Sequence, residues 1–97
     1  MTVDDAEAAV YRALFRLGAR RGAFPLMPEL GSRLYSLTRV KPAARVSAAR
    51  QYIAEAISDE PVEIGEISVT EDGGGGLKIS LGLSAGDVKA QEELWIY

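Results

Sequence analysis

The sequence contains neither cysteine nor histidine among its 97 residues. Disulfide bonds, thiolate nucleophiles, imidazole metal ligands and a histidine general base are therefore excluded. No apolar run approaches the roughly 20 residues that a membrane-spanning helix needs, and residues 1–5 lack the basic start of a secretory signal. We therefore expect a protein that is made in the cytoplasm and has no membrane partner.

Basic residues are scarce in the second half of the chain. The whole chain has 11 basic and 14 acidic residues, and after Arg50 only Lys78 and Lys89 are basic. Because a nucleic-acid partner requires a basic surface, the composition predicts no nucleic-acid binding. The asymmetry suits contacts with oppositely charged neighbours in an assembly, and it equally suits a solvated helical face.

Two stretches have the apolar periodicity of helices. Residues 4–17 repeat apolar positions at helical spacing, with Thr2 placed to cap the first turn and Gly18 to end the helix. A second helix is expected to open at Pro42 and to end near Ser58. Its predicted apolar face consists of Val46, Ala49, Ile53 and Ala56.

The segment between these helices is rich in proline and leucine. Residues 22–28 contain two prolines, which predict an extended connector with Phe24, Leu26 and Met27 tucked beneath it. Residues 28–41 carry an apolar row at helical spacing and predict a short amphipathic helix, which is most simply a core element. The row consists of Leu30, Leu34 and Leu37.

After residue 61 the apolar period changes from helical to two. A bulge at Gly65 and Glu66 would bring the apolar residues on either side of it into phase. Residues 71–76 and residues 84–87 are predicted to form turns between three strands, the last at about residues 89–97. The sequence thus predicts one α+β domain, with two main helices plus a short helix packed on a three-stranded antiparallel sheet. The helical part covers about residues 1–58 and the β-meander about residues 61–97.

The last strand is apolar on both faces. Leu94 and Ile96 alternate with Trp95 and Tyr97. Such a strand at the edge of a sheet is an aggregation hazard unless another chain pairs with it, so these four residues are candidates for partner binding by strand addition. Alternatively, the third strand lies in the middle of the sheet or the helices cover both faces.

The sequence carries no recognisable catalytic constellation. The carboxylates of residues 59–66 lie close together, but they flank a strand start that looks solvated and have no aromatic sugar platform beside them. Glycines 73–76 lack the Lys-Ser/Thr and the following helix of a phosphate-binding loop. We therefore expect no catalytic residues, no cofactor, no metal site and no enzymatic activity.

One series of positions resembles a known family. The run Gly31, Ser32, Arg33, Leu34 is followed by Leu37, Arg39 and Lys41, and then by a helix with Ala49, Tyr52, Glu55 and Ala56. This series resembles small baseplate proteins of contractile phage tails, especially the Mu-like branch. The family is related to baseplate wedge proteins that are often labelled tail lysozyme and are regarded as sheath initiators. The resemblance covers residues 14–97.

The resemblance implies a structural component of a phage or prophage tail baseplate, made in the host bacterial cytoplasm. Its partners would be the tail sheath protein and baseplate wedge proteins. In such tails, sheath subunits exchange extended arms into neighbouring small sheets. By resemblance, this sheet would nucleate sheath assembly by accepting arms of the first sheath ring on its edge, at Leu94, Trp95, Ile96 and Tyr97.

A second contact is implied at the junction between helix and sheet. Many wedge proteins carry Glu-Pro-Arg there, where it is thought to engage the core wedge bundle. Here the same place reads Glu60, Pro61 and Val62. Valine cannot replace the bidentate fork of arginine, so a wedge contact through Glu60 and Pro61 would differ from that of the family. Alternatively, Glu60 and Pro61 only stop the helix.

The same observations also allow a different function. The chain could be a stand-alone adaptor that binds a peptide on its sheet edge, or a module that dimerises through that edge. The sequence is also compatible with self-association of the isolated chain.

Overall fold

The computed structural model describes residues 2–97, and these form an α+β arrangement of helices followed by a sheet. The predicted fold class is confirmed. Within residues 2–97 the helical part contains two α-helices and two short 3₁₀-helices, and the strands follow it in the chain. The elements are α1 (Val3–Gly18), a first 3₁₀-helix (Leu34–Arg39), a second 3₁₀-helix (Pro42–Ala44), α2 (Arg45–Ala56), β1 (Glu63–Glu71), β2 (Leu77–Ala85) and β3 (Val88–Ile96).

The sheet is an antiparallel meander with the strand order β1-β2-β3. The central strand β2 pairs with β3 without interruption, from Ala85 opposite Val88 to Leu77 opposite Ile96. The third strand therefore lies at an edge, and the alternative that placed it in the middle of the sheet is wrong.

A β-bulge interrupts the pairing of β1 with β2. The register shifts between Ile64 and Ile67, so the bulge predicted at Gly65 and Glu66 is confirmed. The extra residue restores the phase, because Ile64 opposes Leu83 and Ile67 opposes Leu81 on the same face of the sheet. Both isoleucines consequently pack against the core.

The core lies between one face of the sheet and the helices. Alternate residues of β2 point to this face and are almost completely buried, while α1 packs over β2 and β3 and α2 packs over β1. The helical side of the core comes mainly from leucine, isoleucine and alanine. The largest fully buried side chains of the whole core are Leu34, Leu37 and Ile53 from the helical part and Ile79, Leu81 and Leu83 from β2.

Helix α1 begins where its capping residue predicts. The side-chain oxygen of Thr2 accepts a hydrogen bond of 3.1 Å from the backbone N–H of Asp5, which satisfies one of the free amides of the first turn. Its core-facing side consists largely of alanines, so the helix axis can lie close to the sheet. These buried residues are Ala6, Ala9, Val10, Ala13 and Leu17. No helix within residues 2–97 is long and apolar enough to cross a membrane.

The connector after α1 differs from its prediction. Phe24 and Met27 are exposed and Leu26 is 97% exposed, so the expectation that they are tucked beneath the segment is wrong. Backbone N–H groups of Met27 and Leu30 donate to carbonyls three residues earlier, which produces successive tight turns in place of an extended connector. Turns of this kind direct the intervening side chains to solvent.

The short helix in residues 28–41 is shorter than predicted. It is a 3₁₀-helix that begins at Leu34, so Leu30 lies outside it. Leu34 and Leu37 are both buried because residues three apart align along a 3₁₀-helix. In the next element the prediction is wrong at Val46, which is exposed because the buried stripe of α2 begins at Ala49, one turn further into the helix.

Candidate functional site

The sheet has one face that the helices leave uncovered. On β3 this open face carries Lys89, Gln91, Glu93 and Trp95, all exposed, beside the half-buried polar side chains of β2. Trp95 lies opposite Lys78, and Glu93 lies opposite Ser80. The open face is therefore polar, with one indole at the corner where β3 ends.

The four candidate residues at the end of β3 divide between the two faces. Leu94 and Ile96 are half-buried and pack against the core, where they oppose Ile79 and Leu77 of β2. Trp95 is 52% exposed and Tyr97 is 81% exposed. Only the two aromatic residues therefore offer most of their side chains to a partner, while the aliphatic ones hold the strand to the helices.

The outer edge of β3 is regular along its whole length. Gly86, with φ of 56°, and Asp87 form the two-residue turn into the strand, so Ala85 and Val88 exchange both ladder hydrogen bonds. In an antiparallel ladder this exchange recurs at every second pair. The intervening residues consequently direct their N–H and C=O groups away from β2. These outward-directed residues are Lys89, Gln91, Glu93 and Trp95.

The opposite edge, on β1, is less regular. The bulge interrupts its line of backbone groups, and Arg50 of α2 donates a hydrogen bond of 3.0 Å from Nη2 to the carbonyl oxygen of Gly65. Bulges and side chains of this kind obstruct the docking of another strand. Within residues 2–97 no side chain forms a comparable bond to the outward groups of β3. The β3 edge is thus the more accessible of the two.

Glu60, the other candidate, is engaged inside the chain. Its side chain is 6% exposed and forms ion pairs with Arg12, at 3.0 Å from Nε, and with Arg16, at 3.4 Å from Nη2. Arg16 also pairs with Asp59, and the guanidinium beside this carboxyl lowers the pKa of Asp59. These pairs fasten the segment that follows α2 to the outer side of α1. Pro61, the next residue, is exposed.

A cleft of about 800 Å³ opens between the end of α1, the connector and the end of α2. Among its charged side chains, Arg21 and Glu55 form an ion pair at 3.4 Å. Glu55 also pairs with Arg33, which is not part of the lining, at 2.9 Å. The apolar part of the lining consists of Met27, Pro28, Leu30 and Ala56. Within residues 2–97 no group of three or more acidic side chains is arranged to hold a metal ion.

Comparison with known proteins gives a similarity of fold. No protein-family model and no curated protein matches the sequence. The structure is similar to the crystal structure of a Geobacter sulfurreducens protein that bears the provisional name tail lysozyme, with a TM-score of 0.63 and 16% sequence identity. The alignment covers 99% of this chain and 90% of that chain. The similarity extends over the helices and the whole meander and concerns the fold.

Proposed function

We propose that this chain is a structural component of the baseplate of a contractile phage or prophage tail. In this proposal it nucleates sheath assembly by accepting an extended arm of the sheath protein beside β3. The fold similarity to a protein named tail lysozyme and the resemblance of residues 14–97 to small baseplate proteins support the tail assignment. The observation that carries the binding mode is the regular, unobstructed edge of β3.

The β3 edge offers the interactions that strand addition needs. Four residues, from Lys89 to Trp95, direct backbone donors and acceptors outward, and each new main-chain hydrogen bond contributes about 0.5–1.5 kcal/mol. Alternate side chains of the incoming arm would lie beside Trp95 on the open face and beside α1 on the other. Backbone pairing would supply affinity, and the two exposed aromatic residues would supply selection.

The proposed contact with wedge proteins involves Glu60 and Pro61 in different roles. Because the Glu60 carboxylate is occupied by Arg12 and Arg16, it would hold the junction in place, and the exposed Pro61 would face the partner. Val62, which stands where wedge proteins carry arginine, is half-buried against the core. The contact would thus rely on shape and apolar surface in place of a guanidinium.

We propose that this role is non-catalytic. The carboxylates of Asp59 and Glu60 are both held by arginines of α1, so they are arranged as structural ion pairs. A glycoside hydrolase needs one carboxyl group free to protonate the leaving oxygen and another to act opposite it.

A proline substitution on β3 tests the strand-addition mode. Glu93→Pro removes one outward N–H and leaves the ladder to β2 intact, whereas Glu93→Ala is the matched control that loses the same side chain and keeps the N–H. We expect binding to the sheath protein of the same genome, measured by titration calorimetry, to weaken by up to about tenfold in Glu93→Pro, because one hydrogen bond of about 0.5–1.5 kcal/mol is lost. Binding should be little changed in Glu93→Ala. Equal binding by both variants would exclude the β3 edge.

The same titration separates the proposed function from its alternative. A folded chain that binds no sheath protein, but binds other extended peptides in a manner sensitive to Glu93→Pro, would be an adaptor. Neighbouring genes for tail tube, wedge and spike proteins would favour the baseplate assignment, and an isolated gene would count against it.

A further inference from the structure

Glu92 is a charged residue on the side of β3 that faces the helices. It lies directly opposite Leu81, which is buried in the core, so the two side chains share that face of the sheet. Glu92 is half-buried, and within residues 2–97 its carboxylate forms no ion pair and no side-chain hydrogen bond. Partial burial of an unpaired carboxylate costs free energy, so a cation from outside the chain would stabilise it.

One flank of α1 borders the outer edge of β3. Leu14 is two residues away from both Arg12 and Arg16, so it projects from the opposite side of the helix, about 200° around its axis. Both arginines pair with Glu60, which precedes β1. The arginine flank of α1 therefore faces the β1 side of the sheet, and the flank that carries Leu14 faces the β3 side.

Leu14 lies at the level of Glu92 along the strand. It packs against both buried clusters of the core, together with Leu94 in one and Ala90 in the other, and Glu92 lies between these two residues of β3. Glu7 is exposed and precedes Leu14 by about two helical turns, so it lies on the same flank of α1. These five residues form a strip along the helix side of the β3 edge, which we call the edge strip. It combines apolar side chains with two carboxylates.

A strand added to β3 would place alternate side chains over the edge strip. The outward backbone groups belong to the residues on either side of Glu92, so in an antiparallel arrangement the added residue opposite Glu92 belongs to a non-hydrogen-bonded pair. The Cβ atoms of directly opposite residues are about 4.5–5.5 Å apart, and opposite charges at such positions stabilise the pairing, whereas like charges destabilise it.

We propose that the strand received by β3 carries a lysine or an arginine opposite Glu92. Apolar residues two positions before and after this cation pack beside Ala90 and Leu94. The inference rests on the proposed function, because the strand is taken to be an arm of the sheath protein. Glu92 then selects among strands: a cation completes the half-buried carboxylate, an apolar residue leaves it unpaired, and a carboxylate is repelled.

An inward-pointing charge can also protect an edge strand from every added strand. The chain obstructs its other edge by different means, with the bulge in β1 and the hydrogen bond from Arg50 to the carbonyl of Gly65. It keeps β3 regular, with apolar residues on both sides of Glu92. These features favour selection over protection, and the two roles predict opposite effects when the charge is removed.

Titration calorimetry against the sheath protein of the same genome distinguishes these roles. We expect Glu92→Gln to weaken binding about tenfold, since one charge-assisted bond is lost, and Glu92→Lys to weaken it further. Glu93→Gln is the matched control, because it removes the adjacent carboxylate, which lies on the open face near Lys78, and it should leave binding little changed. The urea midpoint of isolated Glu92→Gln should not fall, because this carboxylate has no partner inside the chain.

Charge reversal on the sheath arm identifies the cation. Each lysine and arginine of the arm is replaced by glutamate in turn, and one of these variants should lose binding to the unsubstituted chain and regain it with Glu92→Lys. Rescue by no arm variant, or unchanged or stronger binding by Glu92→Gln, would overturn the selection by Glu92. If Glu93→Pro still weakened binding, the proposed strand addition would stand without it. A folded chain that binds no sheath protein would overturn the proposed function and this inference together.

Discussion

Arg12 and Glu60 form an ion pair across 48 residues of sequence, in which the Nε–H of the arginine donates a bifurcated hydrogen bond to both carboxylate oxygens, at 3.0 and 3.1 Å. The pair joins the middle of α1 to the segment that leads into β1. It therefore connects the helical part of the fold to the start of the sheet at a point where both chain segments reach the surface.

Neutralising Glu60 should destabilise the fold. Glu60→Gln leaves Arg12 and Arg16 without their shared carboxylate, and the loss of charge-assisted bonds to a buried side chain should lower the free energy of unfolding by about 1–3 kcal/mol. Urea denaturation measures this difference. Glu63→Gln, at an exposed carboxylate three residues further on, is the control and should change stability by less than about 0.5 kcal/mol. Equal effects of the two substitutions would contradict a structural role for the pair.

The pairing of Asp59 with Arg16 should make stability depend on acid pH. Because the pKa of Asp59 is lowered from its ordinary 3.8 in the folded chain, the ionised form favours folding. Its contribution is fully present above the unfolded-state pKa and is lost as the pH falls through the lower folded-state pKa. We expect Asp59→Asn to be less stable than the unsubstituted chain at neutral pH and equally stable at the acid end. Urea midpoints between about pH 2 and pH 7 measure the convergence, and curves that stay parallel throughout would contradict it.

Gly76 precedes β2 and lies against Ile96 and Tyr97, where a larger side chain does not fit. A Cβ atom there would lie 2.5 Å from Cδ1 of Tyr97 and 2.6 Å from the carbonyl oxygen of Ile96. Gly76→Ala should therefore lower the free energy of unfolding by about 1–3 kcal/mol. Gly74→Ala is the control, because a Cβ there meets only Asp72, at 3.6 Å.

The double variant Gly76→Ala with Tyr97→Ala separates the two contacts of that Cβ atom. It should recover only part of the lost stability, because the backbone carbonyl of Ile96 remains in the way. Full recovery, measured by thermal denaturation, would mean that the tyrosine ring alone excludes a side chain at position 76.

The two leucines at positions 26 and 81 should respond very differently to truncation. Leu81→Ala removes a side chain that is 1% exposed at the centre of β2 and should lower stability by about 2–5 kcal/mol. Leu26→Ala removes one that is almost fully solvated and should change stability by less than about 0.5 kcal/mol. Chemical denaturation of both variants checks this, and a large loss in Leu26→Ala would mean that the connector packs on the core in solution.

Features that depend on near neighbours in sequence could be predicted. The bulge at Gly65 and Glu66 followed from the parity of apolar residues in one strand, and the cap of α1 followed from Thr2 and Asp5 alone. Both depend on geometry within a few residues, which the order of side chains specifies.

Features that depend on distant neighbours could not be predicted. The exposure of Leu26 depends on whether another part of the chain packs on the connector. The ion pairing of Glu60 depends on Arg12 of α1, which lies 48 residues earlier in the sequence. A signal for the second was present, since Arg12 and Arg16 are one turn apart on a helix and Asp59 and Glu60 are adjacent acids. Opposite charges of this kind show that a pair can form, while the packing of α1 determines that it does.

The loop after α1 is closed at its base by the chain itself. Backbone N–H groups of Ser32 and Arg21 donate to the carbonyls of Ala19 and Ser32, and the hydroxyl of Ser32 donates to the carbonyl of Leu17. The ends of the loop are thus fixed by bonds that do not involve its tip. Residues 23–30 therefore form an Ω-like loop, and its length can change without moving the core. This loop is the position at which an epitope or a fluorescent tag can be inserted into the fold.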